Sequence, residues 1–325
     1  MRLTRGVLLV AFFCTFCFQS VMAQYTFEKI TFLSRGTGVV GNLLVPNTEG
    51  RKPAVVIIGP VAYVKEQSPI QYATRMAKAG YVTLIFDPRY HGESPGEPRR
   101  WESRQAKVED LRAAVDYLAA HASVDAGRIY GLGVCQGVNW MIEATSQDAR
   151  IRRLAIVAGH YLMPETARMY LGSPQEVDRR LTRAKTAKVH YEQTGQVDYI
   201  PIAGDGDPNA LLLNKPIYEW YIRWADRGPF WNFHGQWENR ITAMSEADIW
   251  GYRVDQTVQN LHTPTMMIHA DHAASGPNIP KKLFEAIPAL DKKLVWLGDQ
   301  VQFQFYEYPL AIDRVSEQVA GWFNH

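Results

Sequence analysis

The chain has 325 residues and a formal charge of +2, with 46% hydrophobic and 12% aromatic residues. A charge this close to neutral excludes the basic footprint of a nucleic-acid or anionic-membrane binder. The apolar content suits one large α/β domain carrying an insertion, and no internal repeat or low-complexity tract interrupts the sequence.

Arg2 and Arg5 precede an almost wholly apolar run from Gly6 to Phe18, and Val21-Met22-Ala23 closes it before Gln24. This is the pattern of a secretory signal peptide, with cleavage expected after Ala23 and a secreted or periplasmic mature protein. The run is short for a spanning helix, and no second such stretch follows, so no membrane span is expected after its removal. Cys14 and Cys17 leave with the segment, and Cys135 becomes the only cysteine. A lone thiol in an exported chain is a candidate reactive group.

From Thr26 to Leu33 and from Val39 to Val45, alternating and β-branched residues flank Ser34-Arg35-Gly36-Thr37-Gly38, the pattern of an antiparallel hairpin. Ala54 to Gly59 is a continuous apolar run, as in a strand buried on both faces. Ile70 to Ala79 has a helical pattern, and Val82 to Phe86 is the next buried strand, an order that implies a parallel sheet. Val108, Leu111, Val115 and Leu118 then recur at spacings of three and four, with charged residues between them, which predicts a second helix.

Ile129 to Val134 reads as a strand breaking into a turn, Gly133-x-Cys135-x-Gly137, that enters a helix. This is the nucleophile-elbow spacing with cysteine in place of serine. The sharp turn needs glycines where side chains would collide, and it throws the central side chain above the strand ends. The N–H of Gln136 then lies at a helix start, available to an oxyanion. The alternative is a tight crossing around an inert buried thiol.

Leu154 to Ala158 is another buried strand. After it, residues 161–261 are rich in Trp, Tyr and Arg without strand–helix alternation, and are far too long for a plain connection. They are read as a largely helical cap. Thr265 to His269 returns to strand, Pro280 to Ile287 to helix, Lys293 to Leu297 to strand, and Pro309 to Phe323 to a closing helix.

Together these features resemble the α/β-hydrolase fold, a mostly parallel sheet flanked by helices, here with a helical cap insertion. The expected organisation is a signal peptide at 1–23, a core of 24–160 and 262–325, and a cap at 161–261. The elbow resembles that of dienelactone hydrolases, which use cysteine. Several strings resemble a bacterial and fungal branch variously described as dienelactone-hydrolase-like, X-Pro dipeptidyl-peptidase-like or polyketide-thiohydrolase-like. They are Gly59-Pro60-Val61 with Val64-Lys65-Glu66-Gln67, Phe86-Asp87-Pro88-Arg89 leading to Gly92-Glu93-Ser94, Gly96-Glu97-Pro98-Arg99, Ala243-Met244-Ser245-Glu246, and Gln302 to Tyr306.

A thiol hydrolase needs a nucleophile, an oxyanion hole, a base and a group that orients the base. Cys135 is the expected nucleophile, with the N–H groups of Gln136 and of Val61 as oxyanion donors, since Pro60 has none. The resemblance implies an acid after the strand ending at His269 and a histidine after the last strand. Asp271 occupies the first position, but the usual D-x-D pattern runs Asp271-His272-Ala273. Gln302 stands at the second, and glutamine cannot take a proton near neutral pH.

His272 is the candidate substitute base. His269 is read as a packed strand-end residue, and His160 and His234 are weaker candidates. His234 sits among Trp231, Phe233 and Trp237, where packing is the simpler reading. A cysteine depends less on a base than a serine does. Lys65 and Glu66 are read as tying a loop to the helix after it rather than lining the pocket mouth. Asp87, Arg89, His91 and Arg99 are read as a network that fixes loops.

No metal-ligand spacing or cofactor fingerprint appears. The first expectation is therefore an exported hydrolase or acyl-transfer enzyme that acts through Cys135 on a small apolar ester, thioester or lactone. The second is a non-catalytic descendant that keeps the pocket for a small-molecule ligand. A peptidase reading ranks below both.

Overall fold

The structure is a computed structural model that describes residues 24–225 and 236–325. The expected signal peptide, with Cys14 and Cys17, and the cap residues Trp231, Phe233 and His234 lie outside the described residues.

Strands β1 (Tyr25–Ser34) and β2 (Thr37–Pro46) form the expected antiparallel hairpin, Thr31 opposite Val40. Strands β3 (Lys52–Ile58) and β4 (Val82–Phe86) are connected by helix α1 (Ser68–Lys78). Helix α2 (Arg104–Ala120) leads to β5 (Val124–Val134), and α3 (Gly137–Gln147) to β6 (Ile151–Val157). After a long excursion the chain returns through β9 (Thr265–His269), α9 (Asn278–Ala286), β10 (Lys292–Trp296), α10 (Gln304–Glu307) and α11 (Pro309–Phe323).

The main sheet has eight strands in the order β1-β2-β4-β3-β5-β6-β9-β10, parallel from β4 onward. A parallel sheet covered by helices on both faces needs strands that are apolar throughout. Val55, Val56, Ile57 and Ile58 are accordingly inaccessible to solvent, as are Leu84, Ile85 and Phe86. Each such side chain contributes about 1.5–3 kcal/mol by burial.

The excursion contains α4 (Pro164–Leu171), α5 (Pro174–Thr194), α6 (Lys215–Tyr221), α7 (Ser245–Trp250) and α8 (Val254–Thr257). Two short strands, β7 (Tyr199–Ile200) and β8 (Ile241–Thr242), pair within it. Arg180 of α5 is fully buried and ties this region together, bonding Glu246 at 2.9 Å and the carbonyl oxygens of Ala210 and Pro208 at 2.8 Å each. Among the described residues no helix is long and apolar enough to cross a membrane.

The loops at the carboxyl ends of the strands are pinned by buried ion pairs. Asp87 accepts the backbone N–H and the ammonium of Lys65 at 2.7 and 2.9 Å. Arg89 reaches Asp110 and Glu109 at 2.6 Å each, and Arg99 donates to the carbonyl oxygen of Gly92 at 2.7 Å. His91 lies 3.4 Å from Glu102. Lys65 is wholly buried against Asp87, Glu66 and Glu93. These residues hold loop geometry, as the sequence suggested.

Candidate active site

Cys135 sits at the tip of the β5–α3 turn with φ of 56°, in the left-handed region that L residues avoid. Such strain costs about 1–3 kcal/mol and persists only where its surroundings enforce it. The Cys135 N–H bonds the carbonyl oxygen of Val157 at 3.0 Å. The flanking glycines are required by space. A Cβ on Gly133 would lie 2.9 Å from the Cα of Val138, and one on Gly137 would lie 2.4 Å from the carbonyl oxygen of Gly59.

Asn139, one turn into α3, completes the frame. Its Nδ2 donates to the carbonyl oxygens of Gln136 and His160 at 2.7 and 2.8 Å, and its Oδ1 accepts the N–H of Leu162 at 2.9 Å.

The sulfur lies at the floor of a cavity of about 650 Å³. Val61, His160, Met169, Tyr170, Leu212, Ile217, Tyr221, His272, Gln302, Phe303 and Tyr306 are among its walls. These come from loops at the strand ends and from α4, α6 and their connections. The lining is mainly apolar, with few polar groups facing one thiol, as in small-molecule sites.

Burial pushes the Cys135 thiol up to about 11, opposed by the nearby Tyr306 hydroxyl, the N–H groups of Gln136 and Val61, and the Gln302 amide, whose polarity favours the thiolate. The N–H groups of Gln136 and Val61, read from the sequence as oxyanion donors, are among the groups near enough to the sulfur to favour its ionised form. Near neutral pH the resting group is a thiol.

Val61 is held from several directions. Tyr221 donates to its carbonyl oxygen at 3.2 Å, and Trp237 Nε1 donates to that of Ala62 at 2.9 Å. The Ala62 N–H donates to Glu102 at 3.0 Å, while Ala62 itself has φ of 50°. Glu102 is fully buried and paired with Lys107. Burial opposes its charge, but Lys107 and His91 outweigh that and hold the carboxyl at about 2.

Gln302 reaches the site, and its amide is oriented by every partner. Oε1 accepts the N–H of Ala274 at 2.7 Å, and Nε2 donates to the carbonyl oxygen of Ala158 at 2.9 Å and to Tyr306 Oη at 2.7 Å. Tyr306 is buried, its ring 5.1 Å from Trp220 and 5.5 Å from Phe303. Burial and the neighbouring Cys135 hold its hydroxyl well above the ordinary tyrosine range, so it is a neutral phenol.

The structure puts His272 in the wall of the same cavity as Cys135, but joins neither it nor Asp271 to the thiol by a hydrogen bond. Asp271 accepts from Trp296 Nε1 at 3.1 Å, and His272 is exposed at the cavity wall with no hydrogen bond or ion pair to its ring among the described residues. The two follow the end of β9, where successive side chains diverge, so one residue turns to β10 and the other to the rim. His269 is a buried core residue, its nitrogens 3.0 and 3.3 Å from the carbonyl oxygens of Ala270 and Gly159; burial favours the neutral ring, whose single N–H donates to one of them.

His160 is buried in the cavity wall, 4.6 Å ring to ring from Tyr170, and burial lowers it to about 4. Its Nε2 has no partner, and no hydrogen bond joins it to Cys135. Among the described residues, no group of three His, Cys, Asp or Glu is placed to hold a metal ion.

Sequence reasoning passed over Tyr306, Asn139 and the Glu102–Lys107 pair. Tyr306 was detectable only through its spacing of four from Gln302, which puts both on one face of a helical turn. Asn139 was a single polar residue in the first turn of an apolar helix.

This elbow and the strand order define an α/β-hydrolase. The chain belongs to the family described as "Serine aminopeptidase, S33" (Hydrolase_4), whose model matches residues 67–299. Here the elbow carries Cys135 in place of serine.

A crystal structure of hypothetical protein PA2218 from Pseudomonas aeruginosa superposes with a TM-score of 0.77 at 26% identity, covering 93% of this chain and 94% of that one. In sequence, PA2218 is 41% identical over 133 residues, 40% of this chain. The chain spans only about a third of the curated relatives it matches at this level, 36% of PA2218 and 34% of uncharacterized protein YcjY from Escherichia coli K12. Polyketide transferase claH of Penicillium crustosum is 28% identical over 80% of this chain and 85% of its own.

Proposed function

We propose that this protein is a hydrolase or acyl-transfer enzyme in which Cys135 attacks the carbonyl of a small, mainly apolar ester, thioester or lactone. The observation that carries this reading is the placement of the Cys135 thiol in the wall of an apolar cavity, on a backbone strained to φ of 56°, with the Val61 and Gln136 N–H groups near enough to favour a thiolate. A carbonyl carbon bonded to that sulfur would place its oxygen between the two donors, where charge develops. A pocket that only binds has no use for the strain at Cys135. The apolar walls suit an acyl chain, and the curated relative claH is named a polyketide transferase.

A second reading has its own support. Gln302 commits both amide hydrogens and its oxygen to fixed partners and can accept no proton, and the thiol stands at about 11. Both suit a protein that binds a ligand without turning it over.

Hydrolysis of short-chain p-nitrophenyl esters, alkyl esters and thioesters by the wild type and by Cys135→Ala separates the two readings. Turnover lost in Cys135→Ala supports the enzyme, whereas ligand-induced stabilisation without turnover supports the binding protein. The reading also includes export, with residues 1–23 removed and the inserted region 161–261 acting as a cap over the core. Recovery of secreted or periplasmic protein beginning at Gln24 tests the export.

A further inference from the structure

The Cys135 mechanism leaves two proton transfers without an agent, because the position expected to hold a histidine holds Gln302. We propose that Tyr306 carries those protons as a neutral shuttle, accepting one on Oη while giving up its own. This rests on Cys135 being the nucleophile.

The geometry starts at Gln302. Its Nε2–H points at Tyr306 Oη at 2.7 Å, and its carbonyl end is locked on Ala274, so the amide cannot flip. Having accepted that bond, Oη keeps one lone pair and its own hydrogen, and Tyr306 lines the same cavity as Cys135. Gln302 thus fixes the proton carrier rather than carrying the proton itself.

Of the other titratable groups around this cavity several are engaged, while the His272 ring stands exposed at its wall with no hydrogen bond or ion pair among the described residues. The Tyr221 hydroxyl is bonded to the carbonyl oxygen of Val61, and Lys107 is paired with Glu102. His269 is packed with its nitrogens against two backbone carbonyl oxygens, one of which takes its N–H, and His160 makes no bond to the thiol.

In acylation the S–C bond forms and the bond from carbonyl carbon to leaving oxygen breaks. The thiol proton passes to Tyr306 Oη while the Tyr306 proton passes to the departing alkoxide. In deacylation water adds to the carbonyl carbon and the C–S bond breaks. A water proton then passes to Oη, and the Tyr306 proton returns to sulfur. Tyr306 is neutral before and after each step, so no phenolate is left in a buried site where burial disfavours one.

The test uses Tyr306→Phe, which keeps the ring packing, on two esters with the same acyl group, ethyl butyrate and p-nitrophenyl butyrate. Alkoxide needs a proton to leave and p-nitrophenolate does not. General acid–base catalysis is worth on the order of 10²–10⁴-fold, so the loss on the ethyl ester should exceed that on the p-nitrophenyl ester by at least about tenfold. The smaller loss should be recovered as pH rises and solvent removes the thiol proton.

Equal losses on the two esters, unresponsive to pH, would reduce Tyr306 to a packing residue and leave the nucleophile reading intact. Wild-type turnover that survives in Cys135→Ala, or no turnover of either ester, would overturn both. Should the variant fold poorly, the wild type alone decides across a series of butyrate esters. A shallow dependence of rate on leaving-group basicity supports the shuttle, and a steep one overturns it.

Discussion

Tyr221 donates its hydroxyl to the carbonyl oxygen of Val61 at 3.2 Å, so helix α6 holds the residue whose N–H is the proposed oxyanion donor. The Tyr221 ring stacks on Trp237 at 5.6 Å, and Trp237 holds the next carbonyl along, that of Ala62. On the proposed mechanism, the inserted region would set the oxyanion site as well as wall the cavity.

Tyr221→Phe removes the bond and keeps the stack. One such hydrogen bond is worth about 0.5–1.5 kcal/mol. We expect kcat on p-nitrophenyl butyrate to fall roughly five- to tenfold with KM nearly unchanged, because the affected interaction is made in the transition state. A raised KM at constant kcat would show Tyr221 to be cavity wall only.

Gln302→His places an imidazole where the resemblance puts the base. The new ring gives up the bonds to Ala158 and Ala274 but can take a proton near neutral pH. Alkylation of Cys135 by iodoacetamide at pH 7 is expected to quicken by about tenfold or more, with the midpoint of its pH profile lowered. An unchanged profile would mean that this position does not communicate with the thiol.

Much of this was written in the chain. Val82 to Phe86, Thr265 to His269 and Pro309 to Phe323 have the bounds observed, because buried parallel strands and amphipathic helices announce themselves by apolar runs and by period. The elbow was legible because its steric demand is local: glycine at two positions and one side chain carried at the tip of the turn between them. The proton path was not. Whether Gln302 touches Tyr306, and whether Asp271 faces His272 or Trp296, depends on side-chain directions across elements far apart in sequence. Spacing fixes which loop a residue occupies, but not where its side chain points.

His160 predicts an acid sensitivity. Burial lowers it from 6.5 to about 4, so the unfolded chain takes up its proton before the folded one does. Its contribution is fully present above pH 6.5 and is lost progressively as pH falls through 4, to a total on the order of 3 kcal/mol. Other groups titrate in that window, so the difference between wild type and His160→Phe isolates the effect. Urea midpoints at several pH values should fall more steeply for the wild type below pH 6.5. Parallel profiles would show that His160 is protonated in the folded protein.

The Glu102–Lys107 pair lies behind the oxyanion loop, both side chains out of solvent, with the Lys107 ammonium 5.4 Å from the Tyr63 ring centre. Removing one member strands a buried charge, whereas removing both removes the charges together. Lys107→Met should therefore cost about 3–5 kcal/mol, and adding Glu102→Gln to it should restore most of that, since the glutamine oxygen still accepts the Ala62 N–H bonded at 3.0 Å. The double variant should also keep more esterase activity than Lys107→Met, because the loop bearing Val61 hangs on that acceptor. Urea unfolding of both single variants and the double closes the cycle. Strictly additive costs would mean that the two charges do not depend on each other, and that the loop is held by Tyr221 and Trp237 alone.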